Sequence, residues 1–422
     1  MRPTTAIAPL AATFAISLAV IFNPDEAAFA QGDLTPAGPP AAMMKSLDQV
    51  EARIIVNAIN TPGDATNTFI VSAPGSYYFT GNITGEVSKN GISIQANDVT
   101  LDLNGFALVS GGGGASRGVD VPGAQKNFSV RNGTVRGWTD GGVRTDFATS
   151  TLAEKLRLSD NAGATGLMLG NGSARDCVAA GNAIGFIVGN GAEIRDCAAT
   201  GNVTGFQAND RTMLSNCIST VNSGVGFDCT SYITLIDCTS SRNFGPSGIA
   251  VQGSSTVIRC NASRNIPSGN GIQAGSGCII ADCTAGSNGN NGIGVDLGST
   301  VRNCTTRANT QIGILASARC HLTGNTSDSN HIGIEVTGDN NHVDGNSCTM
   351  DPALNATDGY RGFYIRGTNN WVVRNTARGS FAGTLIDQGF VFDDSSVNAV
   401  GPIVRTSGGT ISTTSPWANF RH

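Results

Sequence analysis

Apolar and polar positions alternate with a long, regular period through the middle of this chain. Seven cysteines follow one another at steps of 20 to 23 residues, and an apolar residue usually stands three positions before each one. Asn325 and Asn346 continue the series at steps of 21, and an asparagine stands five residues after each of the first eight positions. The cysteines are Cys177, Cys197, Cys217, Cys238, Cys260, Cys283 and Cys304. The asparagines are Asn182, Asn202, Asn222, Asn243, Asn265, Asn288, Asn309 and Asn330.

A third strip repeats glycine, an aliphatic or aromatic residue, any residue, and then usually an apolar residue. Apolar side chains two residues apart, such as Ile334 and Val336, point to one side of a β-strand. We expect the glycine before each strand to supply backbone freedom at a corner. Thirteen copies begin at Gly91, Gly118, Gly142, Gly166, Gly185, Gly205, Gly226, Gly248, Gly271, Gly292, Gly313, Gly333 and Gly362.

Short strands at a period of about 21 residues predict a solenoid in which each coil covers the next. Residues at one repeat position then stack one strand spacing apart, about 4.8 Å, and stacked asparagines can hydrogen-bond along the column. A leucine-rich repeat has a similar period, but it needs a dense leucine pattern that this chain lacks. The prediction is an all-β parallel β-helix of about 13 coils.

The chain's two ends differ from the repeat. Residues 1–30 resemble a secretory signal peptide ending at Ala28-Phe29-Ala30, with an uncleaved anchor as the rival interpretation. Residues 31–42 predict a flexible leader. Residues 43–90 predict an N-terminal cap and the first strands, with a short helix whose apolar face holds Met43, Leu47, Val50 and Ile54. The β-helix is assigned to 91–380, and 381–422 to a C-terminal cap and tail.

Charge narrows the functional classes. Charged residues make up 14% of the chain, the net charge is −5, and no basic run exists, so nucleic-acid binding is not expected. Beyond the first residues no segment predicts a membrane span. The mature protein is therefore expected to be exported and soluble, in the periplasm, at the cell surface or outside the cell.

The repeated Gly-Ile-x-Val strips and the asparagine column resemble those of right-handed parallel β-helix proteins of the pectin-lyase-like superfamily. The resemblance covers residues 91–380, and stretches such as "MMKSLDQVEAR" and "NGISIQANDVTLDLNGFAL" are similar to those of secreted bacterial β-helix proteins. It implies a right-handed fold. For enzymes of that superfamily it implies chemistry on one flank, with acidic residues holding calcium and an arginine or lysine as base, or with paired aspartates.

The sequence contains only some of the residues that such a site would need. The third residue of each glycine strip is expected to point outward, and these positions show no run of acids for a calcium site. Asp120 and Arg144 fall on neighbouring coils, with Asp140 and Asp146 nearby. They predict either a solvated ion pair or a sugar-binding or acid–base site.

A second group lies late in the chain. His321 and His342 share a repeat position, with Asp344 beside them, and they could be solvated spacers or could bind a metal or a sugar acid. Tyr364 and Trp371 follow, and a flank that joined them to the histidines would favour sugar stacking.

The remaining motifs favour architecture over chemistry. Cysteines stacked at one repeat position favour inert buried thiols over disulfides, and no CxxC pair supports a zinc site. Ser116 stands in a Gly-x-Ser-x-Gly pattern, but its glycine-rich loop is not a strand-to-helix elbow. No metal, cofactor or complete catalytic group is therefore predicted.

Three functions remain open from the sequence, and the oligomeric state is unknown. The favoured one is an exported protein that binds a polysaccharide or has a structural role in the cell envelope or matrix. The second is a lyase or hydrolase acting on uronate-rich polysaccharides. The third is an adhesin or an assembly scaffold.

Overall fold

The computed structural model describes residues 52–161, 163–349, 360–379, 389–393, 397–405 and 412–421. Within these ranges the chain forms β-strands and turns, without an α-helix. The predicted signal peptide, the predicted leader and most of the predicted helix lie outside the described residues. Ile54, which the helical pattern includes, lies in the strand Ile54–Ile55 and pairs with Tyr77. The correction has a local cause, because the β-branched run Ile54-Ile55-Val56 favours a strand.

One parallel sheet of 15 strands contains the glycine strips and is called the glycine sheet here. Its strands are Asn67–Val71, Asn90–Ile94, Arg117–Asp120, Gly141–Thr145, Thr165–Leu169, Ile184–Val188, Thr204–Ala208, Phe227–Cys229, Ser247–Val251, Asn270–Ala274, Ile293–Val295, Ile312–Ala316, Ile332–Val336, Arg361–Ile365 and Phe390–Phe392. The thirteen predicted strips are confirmed, and one further strand pairs at each end.

The second sheet has 30 strands and consists of two parallel ladders that share two long strands, Ser129–Arg136 and Thr151–Ser159. The first ladder also contains Ile54–Ile55, Gly75–Tyr78, Val99–Asp102, Gly172–Arg175, Glu193–Arg195, Met213–Ser215, Thr234–Ile236, Thr256–Ile258, Ile279–Ala281, Thr300–Arg302, His321–Thr323, His342–Asp344, Trp371–Val373 and Ala399–Val400. The second ladder also contains Ile83–Thr84, Ala107–Val109, Val178–Ala180, Ala198–Thr200, Ile218–Thr220, Thr239–Ser241, Asn261–Ser263, Thr284–Gly286, Thr305–Arg307, Thr326–Asp328, Ser347–Thr349, Thr376–Arg378, Ile403–Arg405 and Asn419–Arg421. Each regular coil therefore runs through the glycine sheet, the first ladder and the second ladder in turn.

Three corners separate the strands of a coil, and each is built in the same way. A residue with positive φ turns the chain, and the next residue points inward into a column. Asp196, with φ of 55°, precedes Cys197, and Arg242, with φ of 54°, precedes Asn243. At the third corner Ser254, with φ of 57°, precedes the buried Ser255. The cysteine and asparagine columns are therefore corner residues, and a third column follows the glycine sheet.

The asparagine column is a continuous chain of hydrogen bonds. Asn202 donates through Nδ2 to Asn222 Oδ1 at 3.2 Å and to Ala179 O at 3.1 Å. Its Oδ1 accepts from the backbone N–H and Nδ2 of Asn182, at 2.9 and 3.0 Å. Both ends of the amide are thus satisfied inside the protein, where an unpaired polar group would be costly.

Late in the chain, asparagine also occupies the inward positions of the other two corners. The cysteine column continues as Asn325, Asn346, Asn375 and Asn419, each linked through Nδ2 to the next Oδ1 at 2.9–3.2 Å. The third column continues through Asn341 and Asn370, linked in the same way at 2.9 Å, to Asn398, whose Oδ1 accepts from the backbone N–H of Asn370 at 2.8 Å. The steps Asn346 to Asn375 and Asn375 to Asn419 span 29 and 44 residues, against 20 to 23 earlier. The columns therefore keep their register across coils of very different length.

The glycine of each strip has a different role from the predicted one. Gly205 and Gly226 are not among the positive-φ residues, so they do not supply unusual backbone freedom. Instead, a Cβ at Gly226 would lie 2.5 Å from Gly248 O and 2.4 Å from Ser240 Oγ. Only hydrogen fits where the coils and an inward polar side chain approach one another this closely.

All 11 cysteines are buried free thiols, including the seven that the sequence places in one stacked column. Their weak hydrogen bonds run to backbone carbonyls, as from Cys197 Sγ to Arg195 O at 3.2 Å. Burial raises the pKa of Cys229 and of Cys348, which keeps these thiols protonated. Phe186, Phe206 and Phe227 stack in the same interior at 4.8 Å between ring centroids. The core is therefore a set of like residues stacked coil on coil.

Candidate functional site

Asp120 and Arg144 lie side by side on adjacent strands of the glycine sheet, as their repeat positions predict. They do not form the predicted ion pair. Arg144 binds Asp146 through Nε at 2.7 Å and Nη2 at 3.1 Å. Arg117 instead approaches Asp120, with 3.5 Å between Nη1 and Oδ2, and binds Asp140 Oδ2 at 2.6 Å. Arg144 thus pairs with a carboxylate two residues further along the chain, whereas Arg117 contacts one carboxylate on its own strand and one on the neighbouring coil. The repeat pattern does not reveal these pairings.

The Asp120 carboxyl group is buried rather than solvated, with 4% of the residue exposed. Its Oδ1 has no hydrogen-bond partner among the described residues. Burial raises the pKa of Asp120, and the charges of Arg117 and Arg144 only partly oppose this effect. Asp120 is thus a buried carboxyl group whose pKa lies above its ordinary value. Ser116 is also buried, at 1% exposed.

Four rings form a row on the outer face of the first ladder, which we call the aromatic ladder. His321, His342 and Trp371 are direct neighbours in the strand register. Ring centroids are 5.6 Å apart between the histidines and 5.9 Å apart between His342 and Trp371. Trp417 adds an edge-to-face contact with Trp371 at 6.1 Å. Trp371 and Trp417 remain 49% and 47% exposed, so the row presents aromatic surface to solvent.

A polar pair flanks the aromatic ladder. Arg374 binds Asp344 through both Nε and Nη2, with 2.7 Å between Nε and Oδ1. Asp344 Oδ2 also lies 3.7 Å from His342 Nε2, and the Arg374 guanidinium lies 5.4 Å from the Trp417 ring centroid. The pair fixes a charged donor and acceptor beside the rings. Arg374 and Trp417 were not singled out from the sequence, because neither occupies a repeat position shared with the histidines.

Tyr364 does not belong to this row. It lies on the glycine sheet, in register with Glu335, whereas Trp371 lies on the first ladder. The Tyr364 ring is covered by Arg361, with Cζ 4.0 Å from the centroid, and Arg366 lies at 5.5 Å. Burial and a hydrogen bond to Asp393 raise the pKa of Tyr364. The structure therefore unites His321, His342, Asp344 and Trp371 and separates them from Tyr364.

No group of three or more His, Cys, Asp or Glu side chains suited to a metal ion occurs in the part of the chain that the structure describes.

Within the same ranges, no helix has the length and apolar character needed to cross a membrane.

Residues 182–327 match the family model described as a right handed beta helix region. The two parallel sheets wound from successive coils agree with this match, which covers about a third of the chain, in giving a parallel β-helix fold. No curated protein matches the sequence significantly.

Several solved structures are similar to this chain at low identity. The A-module of mannuronan C-5 epimerase AlgE6 from Azotobacter vinelandii is 14% identical, with a TM-score of 0.47, over 81% of this chain and 88% of its own. A mutant tailspike protein of E. coli bacteriophage HK620, in complex with a hexasaccharide, is 10% identical, with a TM-score of 0.36, over 77% and 71%. Pectate lyase Pel9A is 14% identical, with a TM-score of 0.32, over 66% and 72%.

Proposed function

We propose that this protein is exported and binds a polysaccharide along the aromatic ladder. The carrying observation is the row of rings on one outer face, ending in two half-exposed tryptophans. Support for export comes from the signal-like pattern of residues 1–30.

The row suits a sugar polymer in both shape and chemistry. A sugar ring offers an apolar C–H face and a polar hydroxyl edge. Exposed aromatic rings match the face, and the Asp344–Arg374 pair beside them offers fixed partners for hydroxyl groups. His321, His342 and Trp371 come from successive coils, one strand spacing apart, about 4.8 Å. A polymer lying along the ladder therefore meets one ring at each coil.

Replacing Trp371 with alanine tests this proposal. We expect affinity for the bound polysaccharide to fall at least about tenfold, equal to about 1.4 kcal/mol, because the largest exposed face of the row is lost. Binding is measured by affinity electrophoresis and calorimetry against a panel of neutral and acidic polysaccharides. Phe244→Ala, which removes a ring that is 53% exposed but outside the row, is the matched control. Equal affinity of the Trp371 and Phe244 variants would contradict the proposal, as would a wild type that binds no polysaccharide.

A second candidate function is cleavage of a polysaccharide at Asp120. The observation that favours it is the buried carboxyl group of Asp120 beside Arg144, since a carboxyl group whose pKa is raised is better suited to act as a general acid. We expect Asp120→Asn to abolish any cleavage, because the amide cannot donate a carboxylic proton. Cleavage is measured as new reducing ends or unsaturated products. The control is Asp228→Asn, at the same strip position on another coil. Equal activity of the two variants, or no cleavage by the wild type, excludes this function for Asp120.

A further inference from the structure

We propose that an open depression beside Arg144 is a second glycan site, selective for a neutral sugar segment. The inference rests on the proposed function in one respect, namely that the protein binds glycans. It concerns a different surface, because the depression lies along the glycine sheet and the turn that follows it, whereas the aromatic ladder lies on the other sheet.

The depression has a size and a lining suited to a sugar. Its volume is about 510 Å³, within the range of roughly 300–1,000 Å³ typical of small-molecule sites. Met168 and Ile187, neighbours in the strand register, contribute apolar surface. Phe147 adds an aromatic ring that is 53% exposed.

Phe147 is held in place although it is exposed. The Arg144 guanidinium lies 4.8 Å from its ring centroid, in a cation–π contact. Asp146 fixes that guanidinium through two hydrogen bonds. The ring therefore loses little freedom when a ligand covers it, which favours binding.

A row of amides provides the polar contacts. Asn171, Asn190 and Asn209 follow three successive strands of the glycine sheet and line the depression. Among the described residues, their side-chain amides form no hydrogen bond with the rest of the chain, in contrast to the saturated asparagines of the interior column. Three free amides spaced one coil apart, about 4.8 Å, match a ligand with repeated polar groups.

The charges of the lining select the kind of ligand. Asp146 is the only ionisable group of the lining, and Arg144 neutralises it. An anionic sugar would meet the Asp146 carboxylate without a free cation to bind, and a cation would find a carboxylate that is already paired. An amide both donates and accepts hydrogen bonds, as a hydroxyl group does. A neutral, hydroxyl-rich sugar segment is therefore the ligand that fits.

The test compares Phe147→Ala with Trp371→Ala in the full chain. Neutral oligosaccharides and oligouronates are titrated by calorimetry and by saturation-transfer NMR, and thermal melting checks that each variant is folded. We expect Phe147→Ala to weaken binding of a neutral oligosaccharide about tenfold, Asn190→Ala to weaken it by less, and Phe147→Tyr to retain it. Phe244→Ala is again the control.

The outcomes separate the two proposals. If Trp371→Ala abolishes all glycan binding while Phe147→Ala changes none, the second site is wrong and the aromatic ladder stands. If the Phe147-dependent ligand is an oligouronate, or if Phe147→Ala instead disrupts a dimer in light scattering, the neutral-sugar site is also wrong. A Phe147-dependent neutral ligand that Trp371→Ala leaves bound supports the second site even where the ladder proposal fails. A wild type that binds no glycan overturns both.

Discussion

Gly226→Ala is expected to destabilise the β-helix by about 3 kcal/mol or more, at the upper end of what overpacking costs. The new Cβ would lie 2.4 Å from Ser240 Oγ, 2.5 Å from Gly248 O and 2.7 Å from Asn243 Nδ2. These atoms cannot move apart cheaply, because they are hydrogen-bonded to one another: Asn243 Nδ2 donates to Ser240 Oγ at 3.0 Å, and Ser240 Oγ donates to Gly248 O at 2.7 Å.

The measurement is the shift in the urea midpoint of unfolding relative to wild type. Gly81→Ala is the control, because a Cβ there meets no atom within 4 Å and the residue is not among those with positive φ. That substitution should be neutral or slightly stabilising. Similar midpoints for the two variants would show that the close approach of coils at the strip is not what requires glycine.

Asn202→Ala is expected to have the second largest effect, costing roughly 1–3 kcal/mol, because buried polar groups are left without a partner. The backbone N–H of Asn182 loses its acceptor, and the amide link between Asn182 and Asn222 is broken. Repair by water is unfavourable, because Asn202 is only 2% exposed.

Two control substitutions isolate the amide link. Cys197→Ala removes a buried side chain of the same coil that forms only a weak bond to Arg195 O, so it should cost less. Asn190→Ala removes an exposed amide and should leave the midpoint unchanged. An Asn202 variant no less stable than the Cys197 variant would mean that the column does not stabilise the fold as proposed.

The sequence predicts much of this fold because an inward position carries the same residue type on coil after coil. The spacing of Cys197 and Asn202 from their counterparts therefore indicates both the period and the register. The third corner was missed, because alanine, threonine, isoleucine, serine, cysteine and asparagine alternate there. The role of Gly226 was also missed, since close approach between coils is a property of the packed backbone and leaves no separate mark in the pattern.

The candidate site was less predictable, since it depends on side-chain reach and on long connections. Nothing in the repeat indicates that Arg117 extends toward Asp120 while Arg144 turns to Asp146. Trp417 meets Trp371 only because the end of the chain returns to the stack after 46 residues. Equal spacing in the sequence predicts which residues are neighbours on regular coils, but it does not predict contacts that involve a long coil.

The unequal sequence steps between stacked asparagines indicate that individual coils can gain or lose residues without loss of the stack. Asn346 and Asn375 are joined by the same amide link as Asn325 and Asn346, although eight more residues separate them. The amide columns thus keep the same spacing between coils, whatever the number of residues between successive asparagines. Segments inserted at corners can then vary in length and chemistry without disturbing the stack. For protein engineering, the connection between Thr349 and Tyr360 is accordingly a natural place to graft a foreign binding peptide, because Asn346 and Asn375 remain linked across it.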